Sequence, residues 1–227
     1  MQVNLVSITK PVDGTVLAAA GGGMDAEDLI AYCARVSNPK NQTNTATAPK
    51  LLKFLIKHKH WSPFELANMC VEIKTSRAIA AQILRHRSFS FQEFSQRYSE
   101  ATELEEYELR KPAEKNRQSS SDAFENTGKL DSPYYLANRA MKGAMRAYQD
   151  LLDAGVAKEC ARAVLPLGTQ TTMYMNGTVR SWIHYINLRT EENTQKEHRD
   201  IANAIKDIFT QQFPNVSKAL EWINDDK

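Results

Sequence analysis

Apolar residues recur along most of this chain at intervals of three and four, which is the spacing of amphipathic helices. The longest such stretch spans residues 133–153, and Gly155 just beyond it is typical of a helix end. Looser alternation over residues 2–9 and the apolar run 66–73 indicate strands. The pattern predicts helices near 25–36, 49–58, 76–87, 133–153, 179–189, 195–212 and 216–224, with shorter elements near 158–164 and 171–176.

Three stretches between these elements follow neither pattern. Gly21-Gly22-Gly23 lacks both the spacing of a dinucleotide-binding fingerprint and the lysine of a phosphate-binding loop, which favours a flexible connector. Residues 38–47 are rich in Asn and Thr and are predicted as a loop. Residues 103–131 are rich in charge and Ser, so they are predicted as a surface loop or insertion. Because no internal repeat is visible, we predict one helix-rich α+β domain over residues 1–227, with a small antiparallel sheet.

Composition and charge exclude several classes of protein. With 42% hydrophobic and 25% charged residues, the chain of 227 residues is typical of globular proteins rather than disordered or fibrous ones. Its net charge of +2 is too small to attract nucleic acid or a membrane surface by bulk electrostatics. No apolar run approaches the roughly 20 residues of a membrane helix, and the start of the chain lacks the pattern of a signal peptide. The three cysteines are too few and too widely spaced for a disulfide framework, which predicts reduced thiols and a cytoplasmic location.

The segment 85–99 carries many polar and basic groups. It reads Arg85-His86-Arg87-Ser88-Phe89-Ser90-Phe91-Gln92-Glu93-Phe94-Ser95-Gln96-Arg97-Tyr98-Ser99. Guanidinium groups bind phosphates bidentately, and hydroxyls complete such a cradle, so a phosphate-bearing ligand is one hypothesis. The alternative is a solvated basic helix end, where the helix dipole favours cations.

Further arginines occur downstream at Arg162, Arg180 and Arg189. On one predicted helix, Arg180 and Arg189 would lie on opposite sides and about 13 Å apart along the axis, so they cannot clamp the same phosphate. They could contact different ligands or different parts of a shared cleft. Each of the three could equally be a surface arginine.

The sequence gives little support to metal or nucleophile chemistry. His58, His60 and Glu65 lie close together, but no further ligands follow at a matching spacing, so no metal site is predicted. His60 is either a turn residue or a ligand contact. No Gly-x-Ser-x-Gly context is present for a serine nucleophile. Cys160 lies in an apolar helical stretch and is interpreted as a buried small hydrophobe rather than a reactive thiolate.

Five blocks occur in order along residues 30–200. The central block is Arg85-His86-Arg87 followed, after seven residues, by Ser95-Gln96-Arg97. The others are Ala34-Arg35-Val36-Ser37, His60-Trp61-Ser62-Pro63-Phe64-Glu65, Ala161-Arg162-Ala163-Val164-Leu165-Pro166 and Asn187-Leu188-Arg189. Together they resemble the signature blocks of the flavin-dependent thymidylate synthases. The sequence departs from the family pattern at two places. Gln92 stands where Asn is common, and Asn193-Thr194 stands where some members carry His-Ala.

The resemblance implies the family's own α+β flavin fold, which is not a Rossmann fold, and a homotetramer with active sites shared between subunits. It also implies reductive methylation of dUMP to dTMP, with 5,10-methylenetetrahydrofolate as the one-carbon donor and FAD reduced by NADPH as the hydride source. No cysteine of these enzymes attacks the substrate, which agrees with the lack of a Pro-Cys-His block in this sequence.

The same resemblance assigns roles to individual residues. Arg189 is expected to contact the uracil edge as the catalytic residue and to favour ionisation at N3. Arg162 is expected to reach dUMP from a neighbouring subunit. The residues expected along FAD are Ser37, His60, Ser62, Glu65, Arg85, His86, Arg87, Glu93, Thr178, Arg180 and His184, and those expected to hold dUMP are Gln82, Arg85, Glu93, Ser95, Gln96, Arg97, Arg162 and Arg189.

Two other classes of function are compatible with the residues taken singly. Phe89, Phe91, Phe94 and Tyr98, interleaved with arginines, could stack the bases of a single-stranded nucleic acid. The low net charge and the alternation of these rings count against that interpretation. A non-catalytic scaffold that kept the fold is the third hypothesis. Neither explains the five ordered blocks.

Overall fold

The computed structural model describes residues 1–12, 24–101, 103–106 and 108–224, so the connector predicted at residues 21–23 lies outside the described residues. The strands of the described part are Gln2–Ile8 (β1), Asn68–Ser76 (β2), Ser90–Glu93 (β3), Arg110–Pro112 (β4), Ser120–Ala123 (β5) and Gln170–Thr178 (β6). Its helices are Ala26–Ala34 (α1), Ala48–Lys57 (α2), Arg77–Ile83 (α3), Pro133–Asp153 (α4), Lys158–Ala161 (α5), Val179–Arg189 (α6), Lys196–Gln212 (α7) and Pro214–Ala219 (α8). Within these ranges no helix is both long enough and apolar enough to cross a membrane.

Four of the strands form an antiparallel sheet in the order β1-β2-β6-β3. The two central strands, β2 and β6, pair from Asn68↔Thr178 to Ser76↔Gln170. Alternate residues of both strands are buried on the same face, because Val71 lies opposite Met175 in the register. This period of two shows that one face of the sheet is covered.

The covered face of the sheet packs against α6 and α7 in the hydrophobic core. Trp182 and Ile186 of α6 and Ile205 of α7 are fully buried members of this core. Trp182 Nε1 also donates to the carbonyl oxygen of Met69 on β2 at 2.9 Å, so the polar group of this large side chain is satisfied. These contacts fix the helix that carries Arg180 and Arg189.

The predicted helix-rich α+β fold with a small antiparallel sheet is confirmed. Helix α4 has the predicted bounds, and Gly155 after it has a φ of 85°, the left-handed conformation typical of a helix end. The strand predicted over 66–73 is shifted, since β2 begins at Asn68. Leu66 still belongs to the turn before it, where its amide donates to the carbonyl of Pro63.

The helix predicted over 76–87 ends earlier than expected. Ser76 caps the first turn of α3 as predicted, because its hydroxyl accepts a backbone amide. The helix stops at Ile83, where the apolar stripe ends, and the next two amides after Leu84 bond back to the carbonyls of Gln82 and Ile83. Residues 85–87, the Arg-His-Arg motif, therefore form a turn rather than the last turn of a helix.

The segment 103–131, predicted as a loop, contains a two-stranded ladder. Strands β4 and β5 pair within it, and Leu104 bridges to Thr169 beside the start of β6. Arg110 of β4 forms an ion pair of 2.7 Å with Glu197 of α7, which holds this hairpin against the body of the protein. Most of the described residues of the segment are nevertheless exposed, as expected for a surface insertion.

The last helix is also shorter than predicted and covers Pro214–Ala219 rather than 216–224. The carboxylate of Glu27 on α1 stabilises the first turn of α8, because it accepts the backbone amides of Asn215 and Val216. Burial raises the pKa of Glu27 to about 7, against these hydrogen bonds, which lower it. A buried carboxyl group thus joins α1 to the start of α8.

Candidate active site

The Arg-His-Arg motif lies against one side of α6. The ring of His86 contacts the ring of Tyr185, with the centroids 4.8 Å apart. One turn earlier along the helix, the hydroxyl of Ser181 donates to the carbonyl oxygen of Ser88 at 3.2 Å. The two arginines of the motif remain exposed, so their guanidinium groups are accessible to a ligand.

Four side chains form a network at the end of α6, namely His86, Tyr185, Arg189 and His198. Arg189 Nε donates to His86 Nε2 at 2.9 Å. The hydroxyl of Tyr185 lies 3.1 Å from Nε2 of His198 on α7, and both of these residues are fully buried. The network joins the Arg-His-Arg motif to Arg189 across the fold.

Burial keeps the titratable rings of this network uncharged at neutral pH. It lowers the pKa of His86 to about 4 and that of His198 to about 3, and the nearby charge of Arg189 acts in the same direction. Burial also raises the pKa of the Tyr185 phenol. Of these four side chains, the guanidinium of Arg189 is therefore the one that is charged at neutral pH.

A second group forms where the 3₁₀ turn Ser62–Glu65 meets the start of α6. Glu65 accepts from Arg180 Nη1 at 2.7 Å and from the hydroxyl of Thr178 at 3.0 Å. The same hydroxyl oxygen of Thr178 accepts the amide of Ser181 and so caps α6. Three residues expected along FAD, Glu65, Thr178 and Arg180, thus lie together, although 113 positions separate Glu65 from Thr178 in the sequence.

A third group contains Arg97 and Arg162, both expected to hold dUMP. Arg97 Nη2 donates to the carboxylate of Glu159 at 3.0 Å, and Arg162 Nε donates to the carbonyl oxygen of Glu159 at 3.3 Å. All three residues are exposed. The two arginines are therefore neighbours within one chain, and the expectation that Arg162 serves a neighbouring subunit stays a prediction.

Glu93 and Gln82 are engaged with protein partners that the sequence does not single out. Glu93 at the end of β3 accepts from Arg77 at 2.6 Å and from the hydroxyl of Thr171 at 3.0 Å. Gln82 donates to the side-chain oxygen of Gln195 at 2.7 Å. Arg77 lies outside the five blocks, and Gln195 follows a departure from the family pattern, so neither carries a signal in the sequence.

Eight expected site residues make no side-chain hydrogen bond within the described part of the chain. Among these, Gln96 is only 7% exposed, and its Nε2 has no hydrogen-bond partner among the described residues. His60 is exposed, with its ring 6.0 Å from that of Phe54. The eight are Ser37, His60, Ser62, Arg85, Arg87, Ser95, Gln96 and His184.

The interpretation of Cys160 as a buried hydrophobe is wrong. Helix α5 is a single turn in which Ala161 is the buried residue and Cys160 is exposed. Cys33 and Cys70 are partly buried, and burial raises the pKa of both thiols. In the described ranges, no group of three or more His, Cys, Asp or Glu residues could hold a metal ion.

A cavity of about 680 Å³ lies between the β4–β5 hairpin, α3 and the start of α7. Its lining includes Arg110, Ser120 and Glu197 but none of the expected site residues. Gln195, which also lines it, connects it to Gln82 by the hydrogen bond described above. The surface formed by α3, α6 and segment 85–99 instead carries most of the expected site residues.

The donors on that surface fit a phosphate-bearing cofactor. Arg85 and Arg87 are exposed and have no ion-pair partner in the described ranges. Such guanidinium groups suit the oxygens of a diphosphate. Because the sequence lacks the Gly-rich turn of a Rossmann fold, a diphosphate would be held by side chains and by backbone outside such a turn. The amide of Gln96 in the same segment, which is expected to hold dUMP, is buried and has no hydrogen-bond partner among the described residues. The residues present therefore fit the phosphates of FAD.

Comparisons with known proteins support the same family. The family model described as "Thymidylate synthase complementing protein" matches residues 22–215. A flavin-dependent thymidylate synthase from Synechocystis is 51% identical over 226 residues, which cover 98% of this chain and 100% of that protein. A probable flavin-dependent thymidylate synthase from Paramecium bursaria Chlorella virus 1 is 52% identical over 227 residues, with the same coverage.

Solved structures agree on the fold. A UMP/dUMP methylase from Streptomyces cacaoi bound with 5-Br UMP matches with a TM-score of 0.76 and 26% identity, over 97% of this chain and 93% of that one. The structure of the same methylase bound with 5-Br dUMP matches with a TM-score of 0.79 and 24% identity, over 98% of this chain and 95% of that one. Since the family model spans all five sequence blocks and the relatives match over nearly their full length, this chain belongs to the family of flavin-dependent thymidylate synthases.

Proposed function

We propose that this enzyme converts dUMP to dTMP by reductive methylation. The proposed one-carbon donor is 5,10-methylenetetrahydrofolate, and NADPH is the proposed reductant of the cofactor, FAD. Reduced FAD, when bound, supplies the hydride. The observation that carries the proposal is the hydrogen bond between His86 and Arg189, because it brings together two family blocks that lie 103 positions apart in the sequence.

Arg189 is the proposed catalytic residue. The uracil ring is a poor acceptor for a one-carbon electrophile until it carries negative charge, and loss of the N3 proton supplies that charge. A guanidinium stays protonated at any working pH and presents a planar pair of donors to the O2–N3 edge. Arg189 is half-buried and anchored through Nε, so it can act as a fixed cation at the ring.

The phosphate of dUMP is proposed to bind Arg97 and, from a neighbouring subunit, Arg162. Both guanidinium groups are exposed and meet at Glu159. An exposed ion pair such as Arg97–Glu159 is worth about 0–1 kcal/mol, so a phosphate can replace the carboxylate with little loss. Gln82, Arg85, Glu93, Ser95 and Gln96 complete the proposed dUMP contacts.

The proposed FAD contacts come from three parts of the fold. The Arg-His-Arg motif supplies cations for the diphosphate, and the corner around Glu65 and Arg180 lies at the other end of α6. Isolated contacts are proposed at Ser37 and His60. The whole set is Ser37, His60, Ser62, Glu65, Arg85, His86, Arg87, Glu93, Thr178, Arg180 and His184.

The fold favours the enzyme over a single-stranded nucleic-acid binder at segment 85–99. Phe89 is 9% exposed and packs on Trp182 with the ring centroids 4.6 Å apart. Phe91 is partly buried against the core. Phe94 and Tyr98 are the exposed rings of the four, which leaves few surfaces on which bases could stack.

Self-association as a homotetramer with shared active sites is part of the same proposal. Helix α4 runs for 21 residues with an apolar stripe, yet Tyr148 is the one buried residue among its described positions. An amphipathic helix whose apolar side is only partly covered in one chain is typical of an interface. We further propose one domain over residues 1–227 and a cytoplasmic location, for which the free thiols of the three cysteines are the support.

We expect the purified protein to be yellow or to take up added FAD, and NADPH to bleach the visible absorbance of the flavin. Arg87→Ala is expected to weaken FAD binding by roughly 10-fold or more, because it removes a charge-assisted phosphate contact. Absorbance titrations with FAD and NADPH measure both effects, and dTMP formation from dUMP and 5,10-methylenetetrahydrofolate tests the full reaction.

Arg146→Ala is the matched control, since Arg146 is an exposed arginine on α4 outside the proposed site. It should bind FAD as the wild type does. A colourless protein that ignores added FAD would contradict the proposed enzyme and would favour the scaffold or nucleic-acid hypotheses.

Cys160→Ala is expected to retain dTMP formation. The proposed reaction uses no thiolate of the enzyme, and Cys160 is exposed, so its truncation should change the free energy of unfolding by less than about 0.5 kcal/mol. Turnover and a urea unfolding curve measure the two expectations. Loss of turnover in a folded, flavin-bound variant, or a denaturation-stable adduct between dUMP and the chain, would reverse the mechanism.

A further inference from the structure

An arginine that must face the uracil edge needs something to fix its direction. Arg189 is the last residue of α6, and its long side chain has many rotamers that helix geometry alone does not restrict. Its described hydrogen bond is the one from Nε to His86 Nε2. This contact therefore decides which edge of the guanidinium points away from the protein.

The bond through Nε leaves a defined pair of donors. A guanidinium has five N–H groups in a rigid plane, and it can present either the Nε–Nη edge or the Nη1–Nη2 edge to a planar acceptor. Because Nε is occupied by His86, the Nη1–Nη2 edge of Arg189 is the one free for a ligand. In the described part of the chain, neither Nη group has a hydrogen-bond partner.

The same bond fixes the tautomer of His86. Arg189 can only donate, so Nε2 of His86 must be the unprotonated nitrogen of a neutral ring, and the ring proton must be on Nδ1. The lowered pKa of His86 agrees with a neutral ring at working pH. The Nδ1–H group remains as a donor on the opposite side of the ring.

The ring of His86 is in turn held by its aromatic neighbours. Tyr185 and Phe89 both lie edge-on to it, with centroids 4.8 Å and 6.4 Å away and interplanar angles of 77° and 85°. The Tyr185 hydroxyl is hydrogen-bonded to His198, whose ring centroid lies 6.3 Å from that of His86. Since Tyr185 and His198 are fully buried and packed, the His86 ring cannot tilt without moving them.

We propose that His86 is a positioning residue for Arg189, and that the buried pair Tyr185–His198 fixes its ring for this purpose. The Nε2 atom of His86 anchors the guanidinium and turns its Nη1–Nη2 edge toward the uracil. This inference rests on the proposed function, in which Arg189 contacts the uracil ring. It assigns to His86 an action on the substrate side in addition to the proposed contact with FAD.

Two amide variants of His86 separate this role from a merely structural one. In His86→Gln, the side-chain oxygen lies near the position of Nε2 and can accept from Arg189. In His86→Asn, the oxygen lies near the position of Nδ1 and cannot reach it. We expect His86→Asn to form dTMP about 10-fold or more below the rate of His86→Gln, because a small misplacement of a catalytic group has effects of that size.

The readout that does not depend on turnover is the ionisation of a bound analogue. The ultraviolet absorbance of 5-bromo-dUMP changes when N3 loses its proton, so a pH titration of the FAD-loaded protein with this analogue gives the N3 pKa in the site. We expect His86→Asn to raise that pKa toward the value found with Arg189→Ala, and His86→Gln to bring it back toward the value found with the wild type.

His58→Gln is the control, because His58 is an exposed histidine outside the proposed site, and this variant should match the wild type. Rates are taken per bound FAD, so that loss of cofactor is not mistaken for loss of positioning.

Equal impairment of the Gln and Asn variants, or impairment of neither, would overturn the positioning role. If Arg189→Ala leaves the N3 pKa unchanged, the proposed catalytic role of Arg189 fails instead, which is a distinct outcome.

A crystal structure of the wild type with 5-bromo-dUMP decides the contact even where a variant does not fold. We expect Arg189 Nε on His86 Nε2 and both Nη groups toward the ring. Nε turned to the ligand, or His86 out of hydrogen-bond distance, would overturn the inference.

Discussion

Replacing Arg189 with alanine is expected to reduce dTMP formation by on the order of 10²-fold or more, as expected when one charge partner of a transition state is removed. The NADPH-driven bleaching of FAD should persist in this variant. In the proposed reaction, flavin reduction does not involve the uracil ring. The group around Glu65 and Arg180 also lies at the start of α6, about 13 Å along the axis from Arg189. Separate measurements of flavin reduction and of dTMP formation test this expectation.

Arg189→Lys should recover little of the lost activity, because a point charge lacks the planar pair of donors and cannot reproduce the bond from Nε to His86. A cation at the end of α6 would otherwise contribute only about 0.3–1 kcal/mol to stability through the helix dipole. If Arg189→Ala turns over within about threefold of the wild type, a loss of transition-state stabilisation below ~1 kcal/mol, Arg189 is a helix-end cation and another group ionises the ring.

The sequence predicts those elements best whose burial follows one uninterrupted period. Helices α4 and α6 have the predicted bounds, since an apolar stripe runs through each of them and capping side chains at Ser132 and Thr178 mark their starts. The same logic fails at α5, where Cys160 is exposed. A helix of a single turn is too short for the spacing of its apolar residues to show which side is buried.

The candidate site is predictable in its residues but not in its contacts. The motif blocks mark Arg189 and the Arg-His-Arg turn, yet nothing in their spacing indicates that they meet through a hydrogen bond. Tyr185 and His198 belong to two helices and read as ordinary positions of an amphipathic pattern. Their pairing depends on how α6 packs on α7, which is a property of the folded chain. Long-range packing of this kind is what the sequence pattern does not contain.

Gly177→Ala is the second change for which we expect a large effect. A Cβ on Gly177 would lie 2.4 Å from Cδ1 and 2.5 Å from Cε1 of Phe89, far inside van der Waals contact. The ring of Phe89 has little room to move, because it packs on Trp182 at 4.6 Å and on Tyr185 at 5.9 Å between centroids. We expect the variant to lose about 1–3 kcal/mol in the free energy of unfolding, as overpacked cores do. Displacement of Phe89 should also shift the Arg-His-Arg motif just before it, so dTMP formation should fall in the fraction that remains folded.

Gly143→Ala is the matched control for this substitution. Gly143 lies in the exposed middle of α4 with nothing within 4 Å of an added Cβ, so the same change should there raise stability by about 0.5–1 kcal/mol through helix propensity. Phe89→Leu in the Gly177→Ala background should recover part of the lost stability, because the smaller side chain makes room for the methyl group. Urea unfolding curves and turnover of the three variants test these expectations. A Gly177→Ala protein as stable and active as the wild type would show that Phe89 can move aside freely, and that the motif is held by its hydrogen bonds to α6 rather than by the packing of this ring.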